Sequence, residues 1–196
     1  MNLKRLKNCF AILCGGAAVV FVLGRMISFH CSEELKRGAD TVAKQQVDIS
    51  DEQLTKAVIN RIRDRYRMYR EEPEMLLHMT DIERTVYCAG TFGHEMERGG
   101  MLNYFASCKL QAPYLLDALS DLNAGAYRQM VYDFVHKNKL DLNSLEQFTY
   151  YNQREYEILY WKYPFQKFDE NYKSLQKKKT LEAMVGSYIR NHIEKL

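Results

Sequence analysis

A pair of glycines, Gly99-Gly100, stands between a long helical pattern and a short aromatic segment, and no other feature constrains the fold of this chain as much. The stretch 83–105 reads Glu-Arg-Thr-Val-Tyr-Cys-Ala-Gly-Thr-Phe-Gly-His-Glu-Met-Glu-Arg-Gly-Gly-Met-Leu-Asn-Tyr-Phe. Thr80 and Glu83 make a capping box, in which each side chain satisfies a backbone donor that the first helical turn leaves unpaired. Asp81 and Glu83 also lie where the helix dipole favours negative charge. Ile82, Val86, Ala89, Phe92 or Gly93, and Met96 then recur every three or four residues, an apolar stripe along one helix face. Glycine after the last charged turn ends a helix, because it takes up the left-handed conformation without a side-chain clash. The spacing therefore predicts one amphipathic helix, a stop at Gly99 or Gly100, and a short helix through Tyr104-Phe105. Gly90 and Gly93 lie inside the first helix, where each costs about 1 kcal/mol relative to alanine. Either close approach of a neighbouring helix or simple tolerance accounts for them.

The remainder follows the same pattern. Hydrophobic residues make up 46% of the 196, enough for a sizeable core. The three prolines, Pro73, Pro113 and Pro164, fall between helical patterns, and alternating runs are scarce. An all-α, compact multi-helix domain is the economical reading. A second capping box, Ser50 to Gln53, opens a helix running to about Glu71, with Leu54, Ala57, Val58, Ile62, Tyr66 and Tyr69 on its apolar side. Its other side is basic, with Lys56, Arg61, Arg63, Arg65, Arg67 and Arg70 against Asp64. Residues 71–100 carry the opposite bias, with seven acids against Arg84 and Arg98. An antiparallel hairpin across Pro73 would neutralise both. Contact of the basic face with anionic headgroups or an acidic partner is the functional alternative. Further helices are expected at 112–122, 125–137, 143–161 and 173–195. The last presents Leu181, Met184 or Val185, Tyr188, Ile189, His192 and Ile193 on one face. Aromatic residues crowd 148–165: Phe148, Tyr150, Tyr151, Tyr156, Tyr160, Trp161, Tyr163 and Phe165. They read as core packing or as a binding surface rich in Tyr and Trp.

The first thirty residues are of another kind. Lys4, Arg5 and Lys7 precede an uncharged run from Asn8 to Gly24, extended past Arg25 to Phe29. A spanning helix needs about 20 residues, and residues 9–29 meet that length if Arg25 snorkels to the interface. A cleaved signal is the rival, but small-x-small spacing is missing after the run. The domains expected are a membrane anchor or signal segment at 1–30, a juxtamembrane stalk at 31–49 and the helical domain at 50–196. The slight excess of flanking charge before the run puts the N-terminus in the cytoplasm and the domain outside. The formal charge of +3 comes from this leader. Without its four bases, 24 basic residues stand against 25 acidic ones, so the domain is near neutral and no nucleic acid partner is expected.

The Gly-Gly stop followed by Met101, Leu102, Asn103, Tyr104 and Phe105 resembles the signature of the helical domain family named after DNA mimic protein nineteen. The likeness continues through Tyr114-Leu115-Leu116-Asp117-Ala118-Leu119, Asn123-Ala124-Gly125-Ala126 and Phe168-Asp169-Glu170-Asn171-Tyr172, and covers roughly residues 75–195. Arg98 departs from the asparagine often found before the glycines, and Ser107-Cys108 departs from an Asn-Ser type turn. The resemblance implies an all-helical fold, with Gly99, Gly100, Asn103, Tyr104 and Phe105 as structural signature residues, and implies little about activity.

Catalytic and metal motifs are missing. His94-Glu95 begins a zinc-protease pattern, but Arg98 occupies the position of the second histidine. His30, His78, His136 and His192 are scattered. Of the five cysteines, Cys9 and Cys14 lie in the leader; Cys31, Cys88 and Cys108 have no ligand spacing. Cys88 and Cys108 read as buried thiols, or as a pair if the domain lies outside the cytoplasm. No cofactor, metal or catalytic residue is expected. The first functional reading is a membrane-anchored, non-catalytic interaction domain with an unknown protein partner, with Arg63, Arg67, Arg70, Glu95 and Glu97 as interaction candidates. The second is a cytoplasmic regulator that imitates DNA to bind a DNA-binding protein, and the third is a hydrolase.

Overall fold

The computed structural model describes residues 49–69 and 71–196, and Ser50–Leu196 form one compact unit. The anchor or signal segment, the stalk and the side chain of Arg70 lie outside the described residues. Among the described residues there is no strand, and no helix is long and apolar enough to cross a membrane. The elements are α1 (Asp51–Arg65), α2 (Glu72–His78), α3 (Asp81–Ser107), α4 (Ala112–Asp121), α5 (Gly125–Lys137), a single 3-10 turn at Glu146–Phe148, α6 (Gln153–Lys162), α7 (Phe165–Gln176), α8 (Leu181–Asn191) and a final 3-10 turn at Ile193–Lys195.

Helix α3 is the axle. It packs against α1, α4, α7 and α8, while α5 packs on α4 and α7, and α6 packs on α7. Surrounded in this way, it is buried on nearly every side: Thr85 through Ala89 are all buried, as are Thr91 and Phe92. The expected single stripe therefore understates its burial, and it buries polar residues as well as apolar ones. Both predicted capping boxes are present, at Ser50–Gln53 and Thr80–Glu83. Gly90 lets α1 approach closely, since a Cβ there would lie 2.7 Å from Ile59 Cδ1 and 3.0 Å from Thr55 Cγ2. Helices α1 and α3 run antiparallel, with Thr55 and Ile59 beside Gly90 and Arg65 beside Glu83.

Aromatic rings fill the space on the other side of α3. Phe92 meets Tyr104 edge-on at 5.0 Å, Phe105 meets Phe148 at 5.0 Å, and Phe134 meets Phe165 at 5.2 Å. Such pairs add about 0.5–1.5 kcal/mol each beyond their area burial.

Three helix expectations need correction. Helix α1 stops at Arg65, not near Glu71, because Tyr66 leaves the helix and its hydroxyl donates to Glu83 at 2.7 Å. Ala57 is exposed, and Thr55 and Ile59 take its place on the buried side. The stretch 143–161 is not one helix. Leu142, Leu145 and Phe148 are buried from an irregular segment, and Asn152 caps a shorter α6 by accepting from the Glu155 amide at 3.0 Å. Finally, 173–195 holds the end of α7 and all of α8, separated at Thr180, whose hydroxyl caps α8 by accepting from the Ala183 amide at 3.2 Å. Leu181, Val185 and Ile189 form the buried face of α8.

Candidate interaction surface

The signature residues meet at one joint. Gly100 has φ 75° and ψ −170°, a combination that only glycine adopts freely, and it breaks α3 into two segments. The break leaves the amide of Met101 without a partner in its own helix. Asp169 of α7 supplies one, its Oδ1 accepting from Met101 N at 3.0 Å. A Cβ on Gly100 would lie 2.4 Å from Asp169 Oδ2, so the close approach and the positive φ both require glycine. Burial pushes the Asp169 carboxyl above its ordinary 3.8, against the Met101 amide and the Tyr160 hydroxyl. One turn on, Asn103 donates to Glu95 and accepts from the Tyr150 hydroxyl at 3.2 Å. Tyr104 and Phe105 are fully buried, and the Tyr104 hydroxyl has no hydrogen-bond partner. Asp169 is the residue that sequence reasoning left without a role. Its signal was the Asp-x-x-Tyr spacing to Tyr172, which places both on the face of α7 turned to α3.

The aromatic segment divides into two faces around this joint. Tyr150, Tyr156 and Tyr160 form an inner row: Tyr150 meets Tyr156 edge-on at 5.2 Å, and Tyr156 stacks on Tyr160 at 5.6 Å. The Tyr160 hydroxyl donates to Asp169 Oδ2 at 3.4 Å. Burial first, and the charge of Asp169 second, hold the Tyr156 and Tyr160 hydroxyls above their ordinary 10. Both are therefore protonated donors at neutral pH. The outer face is different. Tyr151 is 87% exposed, Trp161 74% and Ile158 58%, and α6 contains no fully buried residue. Ile158 and Trp161 are three apart and share one side of the helix. Phe148 and Phe165, by contrast, are core residues at 0% exposure. Ile158 carried no signal of its own in the sequence, because an isoleucine beside tyrosines reads equally as core.

The charged candidates are dispersed. Arg63 lies over the Tyr87 ring at 5.5 Å, and Arg67 is exposed just beyond α1. Glu95 is only 7% exposed, and its carboxylate is occupied by Asn103, with Arg98 at 3.7 Å. Glu97 is exposed and lies beside Glu182 of α8; burial, then the charge of Glu182, push its carboxyl above its ordinary 4.5. The opposed charges of the first two segments meet through Arg65 and Glu83. Cys88 and Cys108 are both free and buried.

Among the described residues no group of His, Cys, Asp and Glu is arranged to hold a metal ion. A family model described as DMP19-like protein matches residues 77–192, from the end of α2 to the end of α8. No curated protein matches the chain, and neither does any solved structure.

Proposed function

This chain belongs to the DMP19-like protein family, and from that premise we propose that it is a non-catalytic, α-helical protein-interaction domain held at a membrane by residues 9–29. The observation that supports a binding role is the outer face of α6, where Ile158 and Trp161 are exposed one turn apart, with Tyr151 exposed just before the helix begins. Trp and Tyr dominate the energetics of protein interfaces, because they bring large rigid area at small entropic cost. The inner tyrosines fix α6 through Asn103 and Asp169, so its outer face is presented by a rigid element. The apolar length of 9–29 and its basic flank support the anchor.

The test uses the full chain, tagged and expressed in its own cells. Crosslinked partners are captured from the membrane fraction with the parent protein and with Ile158→Ala/Trp161→Ala. The double variant is expected to melt at the parent temperature and to lose the partner. Retention of the same partner by a folded variant would place the binding surface elsewhere. Recovery of the full-length protein in the soluble fraction would remove the anchor from this reading.

A further inference from the structure

A cavity of about 270 Å³ lies where α1, α3 and α8 converge, and none of its lining residues belongs to α6. Its lining is divided by chemistry. Ile59, Leu181 and Val185 supply an apolar wall, and Glu95, Glu97 and Glu182 supply carboxylates. The neighbouring cations have partners of their own, and Lys56, which is exposed, also feels the charge of Glu97 from the rim. Lys56 pairs with Glu52 at 2.6 Å, Arg63 lies over Tyr87, and Arg98 stands 3.7 Å from Glu95. His94 borders the space as well.

Three polar oxygens at this cavity lack a geometric partner. Glu182 Oε2 accepts from Gln176 Nε2 at 3.3 Å, its Oε1 is buried without a geometric partner, and the Glu97 carboxyl beside it is pushed up by burial and by Glu182 itself, so that without an added cation the two acids share a proton. Thr55 and Thr91 border the same space, are 6% and 7% exposed, and have hydroxyls without any hydrogen bond. Native proteins leave few such groups unsatisfied, because each costs about 1–3 kcal/mol. A carboxylate oxygen accepts only, so the missing group is a donor, and the surplus of acids makes it a cation. The structure around it narrows the choice further. Glycine at position 93 keeps the path to Glu182 open, since a Cβ there would lie 3.0 Å from Glu182 Oε1. No set of ligands for a metal ion is present among the described residues. The apolar wall suits an alkyl stem, as buried lysine stems show elsewhere. At about 30 Å³ for a water-sized group, the cavity has room for an ammonium head and several methylenes.

We propose that this cavity binds an alkylammonium group, with Glu182 and Glu97 receiving the ammonium head and Ile59, Leu181 and Val185 the stem. The Thr55 and Thr91 hydroxyls flank it. The source is either a free primary amine or the lysine side chain of a partner.

The experiment titrates the full chain in detergent with butylamine, with butanol as the neutral isostere, and with Nα-acetyl-lysine methylamide. Binding is read by calorimetry and by amide chemical shifts. Butylamine is expected to bind saturably, to shift the amides of Gly90, Gly93 and His94, and to outcompete butanol. Glu182→Gln and Glu97→Gln are each expected to lose about tenfold or more in affinity, the size of one charged hydrogen bond. Glu170→Gln, an exposed change on α7, is expected to bind as the parent does. Tighter binding of the lysine derivative than of butylamine supports a partner side chain, and the reverse supports a free amine. Equal binding of butanol and butylamine overturns the proposal. So do amide shifts that avoid α3 and α8, which the parent protein reports even if a variant fails to fold. Undiminished affinity in both folded glutamine variants overturns it too.

Discussion

Arg65 donates from one guanidinium nitrogen to Glu83, a carboxylate at 0% exposure, and so fastens the end of α1 to the start of α3. Its other terminal nitrogen donates to the main-chain oxygen of Leu196. Glu83 in turn accepts from the Tyr66 hydroxyl at 2.7 Å, the Thr80 amide at 3.0 Å and the Thr80 hydroxyl at 2.9 Å. A buried charge is tolerated only when it is paired and hydrogen-bonded, and this one has four donors. The glutamate of an ordinary capping box faces water; here it is the centre of a network.

Glu83 makes stability depend on acid. Burial works to raise its carboxyl, yet the Tyr66, Thr80 and Arg65 contacts outweigh burial and hold it below its ordinary 4.5. Its contribution is therefore fully present above pH 4.5 and is lost as pH falls through the folded-state value. Glu83→Gln is expected to cost about 2–4 kcal/mol at neutral pH, because it leaves Arg65 without its charge partner. In urea titrations over a pH series, the parent should lose stability more steeply in acid than the variant. Parallel curves would show that the network does not carry the charge.

Gly100 tolerates no side chain. Gly100→Ala is expected to cost about 1–3 kcal/mol for the backbone conformation alone, with the Asp169 contact adding to it. Gly99 has no positive φ, and a Cβ there meets the flexible Asn103 side chain at 2.8 Å, so Gly99→Ala should cost less. Chemical denaturation of both variants checks the order. Equal losses, or no loss at Gly100, would contradict the geometry.

The two thiols should be inert. Burial pushes Cys88 and Cys108 each up to about 12, so both are protonated at neutral pH and shielded from reagents. A thiol-specific reagent is expected to label neither in the native domain and both after denaturation. Rapid native labelling of either one would mean that the core opens there.

The helices with a written start were legible in the sequence. Ser50, Thr80 and the Gly99-Gly100 pair announce their boundaries through backbone chemistry confined to a few neighbours, and such chemistry survives in one dimension. The end of α1 was not legible, since no glycine or proline marks it and the residue that turns the chain, Tyr66, does so by reaching Glu83. Between 139 and 165 the tyrosines obscured the periodicity, although Asn152 with Glu155 was a readable cap. The burial of Glu83 and the unpaired oxygens around Glu182 arise from contacts among distant segments, and no local pattern encodes them. The two faces of α6 were likewise hidden, because Tyr156 and Trp161 look alike until α7 is in place.

DNA mimicry is not expected of this member. A mimic must display carboxylates at a density like that of DNA, one charge per roughly 1.7 Å of axis. Glu95, in the most acidic segment, is turned inward to Asn103, Arg63 stands on the neighbouring α1, and Arg67 follows just beyond its end. Added to repressor–DNA complexes from the same cell at moderate salt, the full chain in detergent should leave the DNA bound. Displacement of DNA that disappears in Glu97→Gln would restore the regulator reading.

The joint at Gly100 has a bearing on how relatives of this chain should be compared. Gly99, Gly100, Asn103, Tyr104 and Phe105, which carry the likeness read from the sequence, are spent on an elbow, where one segment turns and a neighbouring carboxylate catches the loose amide. None of them is on the outer side of α6. A likeness that rests on those five alone certifies a chassis, and two proteins that share the chassis are free to carry different cargo on the side panel that Ile158 and Trp161 occupy here.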